Sequence, residues 1–399
     1  MILLDRLLRV LIRKGNLEVQ DAAGRTYRYG DGAGDPVRIR FTDRATTFRA
    51  ALNPALEFGE AYMDGRLFVE NDDILSFAAL IGSNTKWDDD DAVHLSLWRP
   101  RRLGWLNAWN WQRRSRRNVA HHYDLDDRLY ALFLDHDLNY SCAYFERPDD
   151  TLETAQAAKL DHIVAKLALR AGQRVLDIGC GWGGLALHIG KTADVEVLGI
   201  TLSEHQLAIA RARADATGLA GRVKFALLDY RSVTGAFDRI VSVGMFEHVG
   251  PPHYRRFFDQ CRTLLKPDGV MLLHTIGRAD GPAPTDRWLA RYIFPGGYVP
   301  ALSQIAPAIE DARLWITDIE ALRMHYAYTL EHWYARTVAA RDKIVALYDE
   351  RFFRMWQFYL AGAIVAFRCN AHLNFQIQLT RGRETLPITR DYMARKPDQ

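Results

Sequence analysis

Cysteine is scarce: Cys142, Cys180, Cys261 and Cys369 are the only four in 399 residues, and none forms a CxxC or stands at metal-ligand spacing from a histidine. This argues against a disulfide framework and a structural zinc; no metal is expected, and a reducing cytoplasm is the compartment that fits. Long apolar runs are missing too. The longest, such as residues 359–367, falls well short of the ~18–20 residues a spanning helix requires. No charged-apolar-small leader opens the chain, so neither a signal peptide nor an integral membrane protein is expected. Proline is sparse at 14, no internal repeat is visible, and 48% hydrophobic residues exclude extended disorder. A net charge of +3 names no partner, although the basic residues are unevenly spread. At ~100–200 residues per domain, the length predicts two to three domains.

Over residues 1–15, Leu3, Leu4, Leu7, Leu8 and Leu11 share one helical face, with Arg6, Arg9, Arg13 and Lys14 largely off it. Such a helix either lies on an anionic membrane surface or docks on its own domain. Alternating runs at 17–19 and 37–41 predict strands, and helical signals continue to about residue 82. The carboxylate run from Asp88 to Asp91 places a linker near 83–97, giving a small α+β N-terminal domain over 1–97 and a catalytic domain over 98–399. Residues 98–118, WRPRRLGWLNAWNWQRRSRRN, carry four tryptophans and seven arginines, a mixture that suits lipid phosphate, nucleic-acid phosphate or a packed interdomain helix. Beyond residue 150, strand signals at 174–178, 196–200, 223–228, 237–243 and 269–276 alternate with helical segments such as 204–217 and 254–265. This predicts an α/β fold with a doubly wound, mainly parallel sheet. An aromatic-rich helical stretch at 325–359 is expected to cover the sheet edge or line a pocket.

The segment VLDIGCGWGG, residues 175–184, follows a buried-strand pattern and precedes a helix, the context in which glycines let a cofactor approach the backbone. Its spacing, Gly179-x-Gly181-x-Gly183-Gly184 with Asp177 at the strand end, is not the dinucleotide fingerprint. It resembles the class I methyltransferases, whose turn accepts the amino-acid end of S-adenosylmethionine. On that resemblance Thr201, Ser203 and Gln206 of GITLSEHQ replace the usual acidic partner of the ribose, while Glu204 caps its helix. Asp229 of LLDYR is the candidate acceptor for the adenine amino group, with Tyr230 or Arg231 covering the ring.

An ordered series of segments narrows the family: SRRNVAHHYDLDDRLYALFLD, LNYSCAYF, GITLSEHQ, FDRIVSVGMFEHVG, HTIG, FPGGYVP and HYAYTLEHWYAR. From about residue 110 onward the chain resembles the cyclopropane-fatty-acyl-phospholipid synthase family, relatives of the mycolic acid cyclopropane synthases. NPALEFGEAYMDG, residues 53–65, resembles the separate N-terminal domain of the full-length bacterial members. The resemblance implies methyl(ene) transfer from S-adenosylmethionine to the cis double bond of an unsaturated phospholipid acyl chain. The resulting carbocation loses a proton as the ring closes, with bound bicarbonate as base. The residues matching the family's bicarbonate set are Cys142, Glu247, His274 and Tyr326; Tyr140 and Ser141 match residues that reach the cofactor's methionine end. The cation requires a dry, aromatic-lined site, for which Phe294, Tyr298, Tyr326, Tyr328, Trp333, Trp356 and Phe358 are candidates.

One departure stands out: Ala363 occupies the position where the family often has a second cysteine, and Cys369 lies six residues further on. This keeps open a sibling outcome, a methylene or methyl branch, besides a small-molecule O- or N-methyltransferase. A nucleic-acid methyltransferase is disfavoured because residues 250–254, GPPHY, lack the polar residue that would hold an exocyclic amine. No nucleic-acid partner is expected, and intact motifs argue against a non-catalytic lipid binder. The expected setting is peripheral, at the anionic inner face of the membrane, with a homodimer as the family's assembly.

Overall fold

The computed structural model describes residues 1–93 and 127–394. The tryptophan- and arginine-rich stretch at 98–118, including Arg113, Arg114, Arg116 and Arg117, lies outside the described residues. The chain forms two compact units. The first unit joins the N-terminal residues to Thr285–Phe294 and Leu330–His372, so two segments that the sequence reading placed in the catalytic domain belong with the N-terminal one. The second holds the rest.

In the first unit, β1 (Leu17–Gln20), β2 (Thr26–Tyr29), β3 (Val37–Phe41) and β4 (Leu67–Val69) form a sheet of order β2-β1-β3-β4. Helix Ile2–Leu11 docks on its own unit: Leu4 and Leu8 are buried in its core beside Leu17, Val19, Ile39 and Phe41. Ile2, Leu3 and Val10 remain exposed, as do Phe48 and Leu52 of helix Arg44–Leu52. The predicted 325–359 helix is three helices, His325–Ala339, Arg341–Leu347 and Glu350–Arg368, the last started by Asp349, whose side chain accepts from Phe352 N at 2.7 Å. Helix Glu350–Arg368 packs closely on helix Ile74–Asn84 because Gly82 has no side chain; a Cβ there would lie 2.6 Å from Val365 Cγ1.

The second unit carries a seven-stranded sheet of β5 (Arg174–Ile178), β6 (Glu196–Thr201), β7 (Val223–Leu227), β8 (Phe237–Val243), β9 (Leu265–Arg278), β10 (Trp315–Ala321) and β11 (His372–Thr380). Its order is β10-β11-β9-β8-β5-β6-β7, with β5 to β9 mutually parallel and β10 antiparallel to β11. Strand order reverses at β5, which has β6 on one side and β8 on the other, so the carboxyl ends of β5 and β8 open at the switch point where ligands bind in such sheets. Two apolar layers hold the helices on the sheet faces, one around Leu176, Phe246 and Phe257, the other around Val175, Ile189 and Val241. The predicted β5 and β8 match in both bounds. β10 and β11, and β2 and β4 of the first unit, were not foreseen. No helix among the described residues is long and apolar enough to cross a membrane.

Candidate active site

The cleft lies at the carboxyl ends of β5, β6 and β8 and has about 1210 Å³ of space including its open mouth. β5 ends in the turn Gly179-Cys180-Gly181-Trp182-Gly183, which leads into helix Gly184–Thr192. The N–H groups of Gly179 and Cys180 both donate to Ile200 O, at 2.9 and 3.0 Å, tying the turn to β6. Two of its glycines serve different ends. At Gly181 (φ +54°) a Cβ would meet nothing within 4 Å, so that face is open to the cleft. At Gly183 (φ +85°) a Cβ would sit 2.7 Å from Phe225 Cζ, so this glycine serves helix–sheet packing and is not on the cleft wall.

Asp177 lines the cleft with its carboxylate buried and Oδ2 without a hydrogen-bond partner, and burial pushes its pKa up to about 7. An orphaned acceptor beside an open glycine face fits the ammonium-bearing end of S-adenosylmethionine. Tyr140 and Ser141 line the cleft too, the Tyr140 ring meeting Tyr130 edge-on at 5.4 Å and Tyr130 lying 4.9 Å from Trp182.

Thr201 and Gln206 also face the cleft, joined by a 2.8 Å bond from Thr201 Oγ1 to Gln206 Oε1. Ser203 does not line it: this buried hydroxyl accepts from Gln206 N at 3.3 Å and caps helix Glu204–Ala216, the role the sequence reading gave to Glu204. Asp229, Tyr230 and Arg231 line the cleft as well. The Asp229 carboxylate takes both the Nε and NH2 of Arg231, at 2.8 and 2.7 Å, so Arg231 is committed to an ion pair. Tyr230 packs edge-on against Phe257 at 5.2 Å.

None of the four residues assigned to an anion site lines this cleft, and all four are buried. Glu247 is in the turn Phe246–His248 that follows β8; its Oε1 accepts from Ile276 N at 2.7 Å, while Oε2 is buried with no hydrogen-bond partner. Burial pushes its pKa up to about 7. His274 of β9 lies between two amides of β11, with Nδ1 3.2 Å from Gln376 Nε2 and Nε2 3.3 Å from Asn374 Nδ2. Burial pushes its pKa down to about 3, so the ring is neutral, with one N–H and one bare nitrogen, each facing an amide. Cys142 follows the wall residue Ser141, and burial raises its thiol pKa well above the ordinary range. Tyr326 is in the first turn of helix His325–Ala339; one turn later Thr329 Oγ1 accepts from Ala143 N at 3.0 Å, which sets that turn against the Cys142 segment.

The seven candidate aromatics divide between the units. Tyr298, Tyr326 and Tyr328 belong to the second; Phe294, Trp333, Trp356 and Phe358 belong to the first, where Phe294 meets Tyr359 edge-on at 5.7 Å. Cys369 belongs to the first unit, as Ala363 does, with its Sγ 3.0 Å from where a Cβ of Gly82 would be. The sequence reading missed Lys159 and Asn139 on the wall. The signal was present in AQAAKLD, where Gln156 and Lys159 interrupt a face otherwise formed by Leu152, Ala155, Leu160 and Ile163.

A sequence profile described as mycolic acid cyclopropane synthetase matches residues 110–377. A probable fatty acid methyltransferase of Pseudomonas putida is 42% identical over 289 residues, covering 69% of this chain and 73% of that protein. Cyclopropane-fatty-acyl-phospholipid synthase of Escherichia coli K12 is 38% identical over 351 residues, covering 88% and 89%. Among solved structures, the mycolic acid cyclopropane synthase CmaA1 complexed with SAH and CTAB superposes with a TM-score of 0.63 at 35% identity, covering 66% of this chain and 97% of that one. With the switch-point cleft and its glycine turn, these matches establish that the chain belongs to the cyclopropane-fatty-acyl-phospholipid and mycolic acid cyclopropane synthase family, enzymes built on the S-adenosylmethionine-dependent methyltransferase fold.

Proposed function

We propose that this enzyme transfers a methyl(ene) group to the cis double bond of an unsaturated phospholipid acyl chain and closes a cyclopropane ring. The observation that carries the reading is Glu247: a buried carboxylate with one unpartnered oxygen, in the segment whose Met245, His248 and Val249 line a methyltransferase cofactor cleft. When bound, S-adenosylmethionine supplies an electrophilic sulfonium methyl. Asp177, Tyr140, Ser141, Thr201 and Gln206 are the residues that would hold it. The alkene π pair forms the new carbon–carbon bond as the carbon–sulfur bond breaks, and the carbocation left on the acyl chain loses a proton as the ring closes.

A catalytic base is needed, and a bicarbonate fits the residues present. The Glu247 carboxylate accepts its O–H, the Tyr326 hydroxyl and the Cys142 backbone N–H act as donors, and the neutral His274 ring, held by its two amides, packs beside the anion. Burial keeps water away from the cation. At the other end of the chain, residues 1–97 serve lipid association. The exposed Ile2, Leu3, Val10, Phe48 and Leu52, with the exposed Arg6, Arg13 and Arg44 nearby, suit peripheral binding to an anionic membrane at its cytoplasmic face. In this reading the enzyme works as a homodimer.

The test supplies labelled S-adenosylmethionine with vesicles of cis-unsaturated anionic phospholipid, with free fatty acid and, separately, with tRNA. Label is expected in the vesicle lipid, with upfield ring protons by NMR; label entering only tRNA would end the lipid reading. Two observations favour a second product, a methylene or methyl branch: the 42% identical relative is named a probable fatty acid methyltransferase, and Ala363 stands where a cysteine is common. That product has no upfield ring signal.

A further inference from the structure

Helix Leu152–Leu167 turns an ammonium group into the protein interior. Lys159 is 1% exposed, yet it lines the cofactor cleft. Its Nζ donates to Ser141 Oγ at 3.0 Å and to Asn139 Oδ1 at 3.2 Å. Asn139 is itself fixed by Asp135, whose carboxylate accepts from Asn139 N at 2.9 Å and Nδ2 at 2.8 Å. One turn before Lys159, Gln156 Nε2 donates to Asn139 O and Ser141 O, so a single helix fastens the wall segment that carries Ser141.

Both visible bonds of Lys159 go to neutral oxygens, which leaves one of its three N–H donors uncommitted. The same cleft holds the buried Asp177 with its unpartnered Oδ2. Among the described residues no hydrogen bond or ion pair joins the two. A buried cation and a buried anion that line one cleft without touching are costly unless something with complementary charges completes them. Burial pushes the pKa of Lys159 down to about 8, opposed by the fields of Asp135, Cys142, Asp177 and Asp137, which is the cost expected of a charge awaiting its partner.

We propose that Lys159 and Asp177 form a split ion pair that reads the zwitterionic α-amino-acid end of the cofactor. Lys159 takes the carboxylate together with Ser141, and Asp177 takes the ammonium. Lys159 is thereby a cofactor-binding residue as well as the brace of the Ser141 segment. This rests on the glycine-turn cleft being the cofactor site.

The test is a cycle of ligand and protein truncation, read by calorimetric binding. The ligands are S-adenosylhomocysteine and its decarboxylated analogue, which keeps the amine and lacks the carboxylate; the proteins are wild type and Lys159→Met. A charge-assisted contact predicts that wild type favours S-adenosylhomocysteine by about 10- to 100-fold, and that Lys159→Met shrinks this preference to within about threefold by weakening S-adenosylhomocysteine far more than its decarboxylated analogue. Equal weakening of both ligands would make Lys159 a brace only and overturn the proposal. Lys159→Arg, which keeps the charge, should retain the preference. If Lys159→Met does not fold, the wild-type ligand pair still decides, since equal affinity for both ligands overturns the split pair while leaving the cleft intact. Failure of wild type to bind S-adenosylhomocysteine at all would instead remove the cofactor site itself, and this inference with it.

Discussion

Glu247→Gln separates stability from turnover at the residue on which the proposed chemistry depends. An ordinary glutamate titrates near 4.5, whereas burial pushes Glu247 up to about 7. The folded state therefore holds this proton more tightly than the unfolded chain, and stability is full below the unfolded value and lost as pH rises through the folded one. At ~1.4 kcal/mol per pH unit, the whole effect is about 3 kcal/mol, of which roughly 2.5 kcal/mol develops between about pH 5 and about pH 8. Glutamine is nearly isosteric, keeps an oxygen for Ile276 N–H and cannot ionise. Its uncharged amide leaves two N–H donors where Oε2 had no partner, at a cost of about 1–3 kcal/mol that does not change with pH. The expected signature is thus a difference that grows with pH: relative to wild type, the variant gains roughly 2.5 kcal/mol on going from about pH 5 to about pH 8. Urea unfolding of both proteins, followed by tryptophan fluorescence at the two pH values, measures it. Turnover should fall by about 10²-fold or more, with cofactor affinity within a few-fold. A stability difference that stays flat with pH would refute the buried ionisable carboxylate, and near wild-type turnover would refute its role as proton acceptor.

The glycines of the turn should part company. Gly183→Ala drives a Cβ to 2.7 Å from Phe225 Cζ at φ +85° and should lower stability by about 1–3 kcal/mol, seen as a lowered melting temperature. Gly181→Ala meets no protein atom, so only its φ of +54° costs it, about 1–2 kcal/mol in stability, yet its methyl enters the cleft and should weaken S-adenosylhomocysteine binding at least tenfold, on the order of the loss from one steric obstruction. The reverse pattern would mean the wrong glycine was assigned to the ligand. Cys369→Ala should leave turnover unchanged, because the thiol packs against Gly82 of helix Ile74–Asn84; a tenfold loss in a product assay would show that this sulfur does serve the reaction.

What could be read from the sequence followed from how much each pattern constrains the chain. β5 and β8 are buried runs bounded by turn residues, and both were placed correctly to the residue. The glycine turn was equally legible, because positive φ at Gly179, Gly181 and Gly183 leaves few other residues possible. β11 was missed for the opposite reason. HLNFQIQLT alternates polar and apolar residues, a pattern that implies one solvated face, yet Asn374, Gln376, Gln378 and Thr380 are all buried. Their polar groups are used inside: Asn374 and Gln376 flank His274, and Gln378 Nε2 donates to Lys166 O at 2.6 Å. Helix Leu152–Leu167 carries a related signal, since Gln156, Lys159 and Lys166 break its apolar face and the fold buries all three. A polar side chain that breaks an apolar face raises the energy of the fold unless a partner meets it, so such breaks concentrate where a ligand or a catalytic group must be held. In this enzyme the rule picks out Lys159 at the cofactor wall and Gln376 behind His274, two residues that no motif singles out.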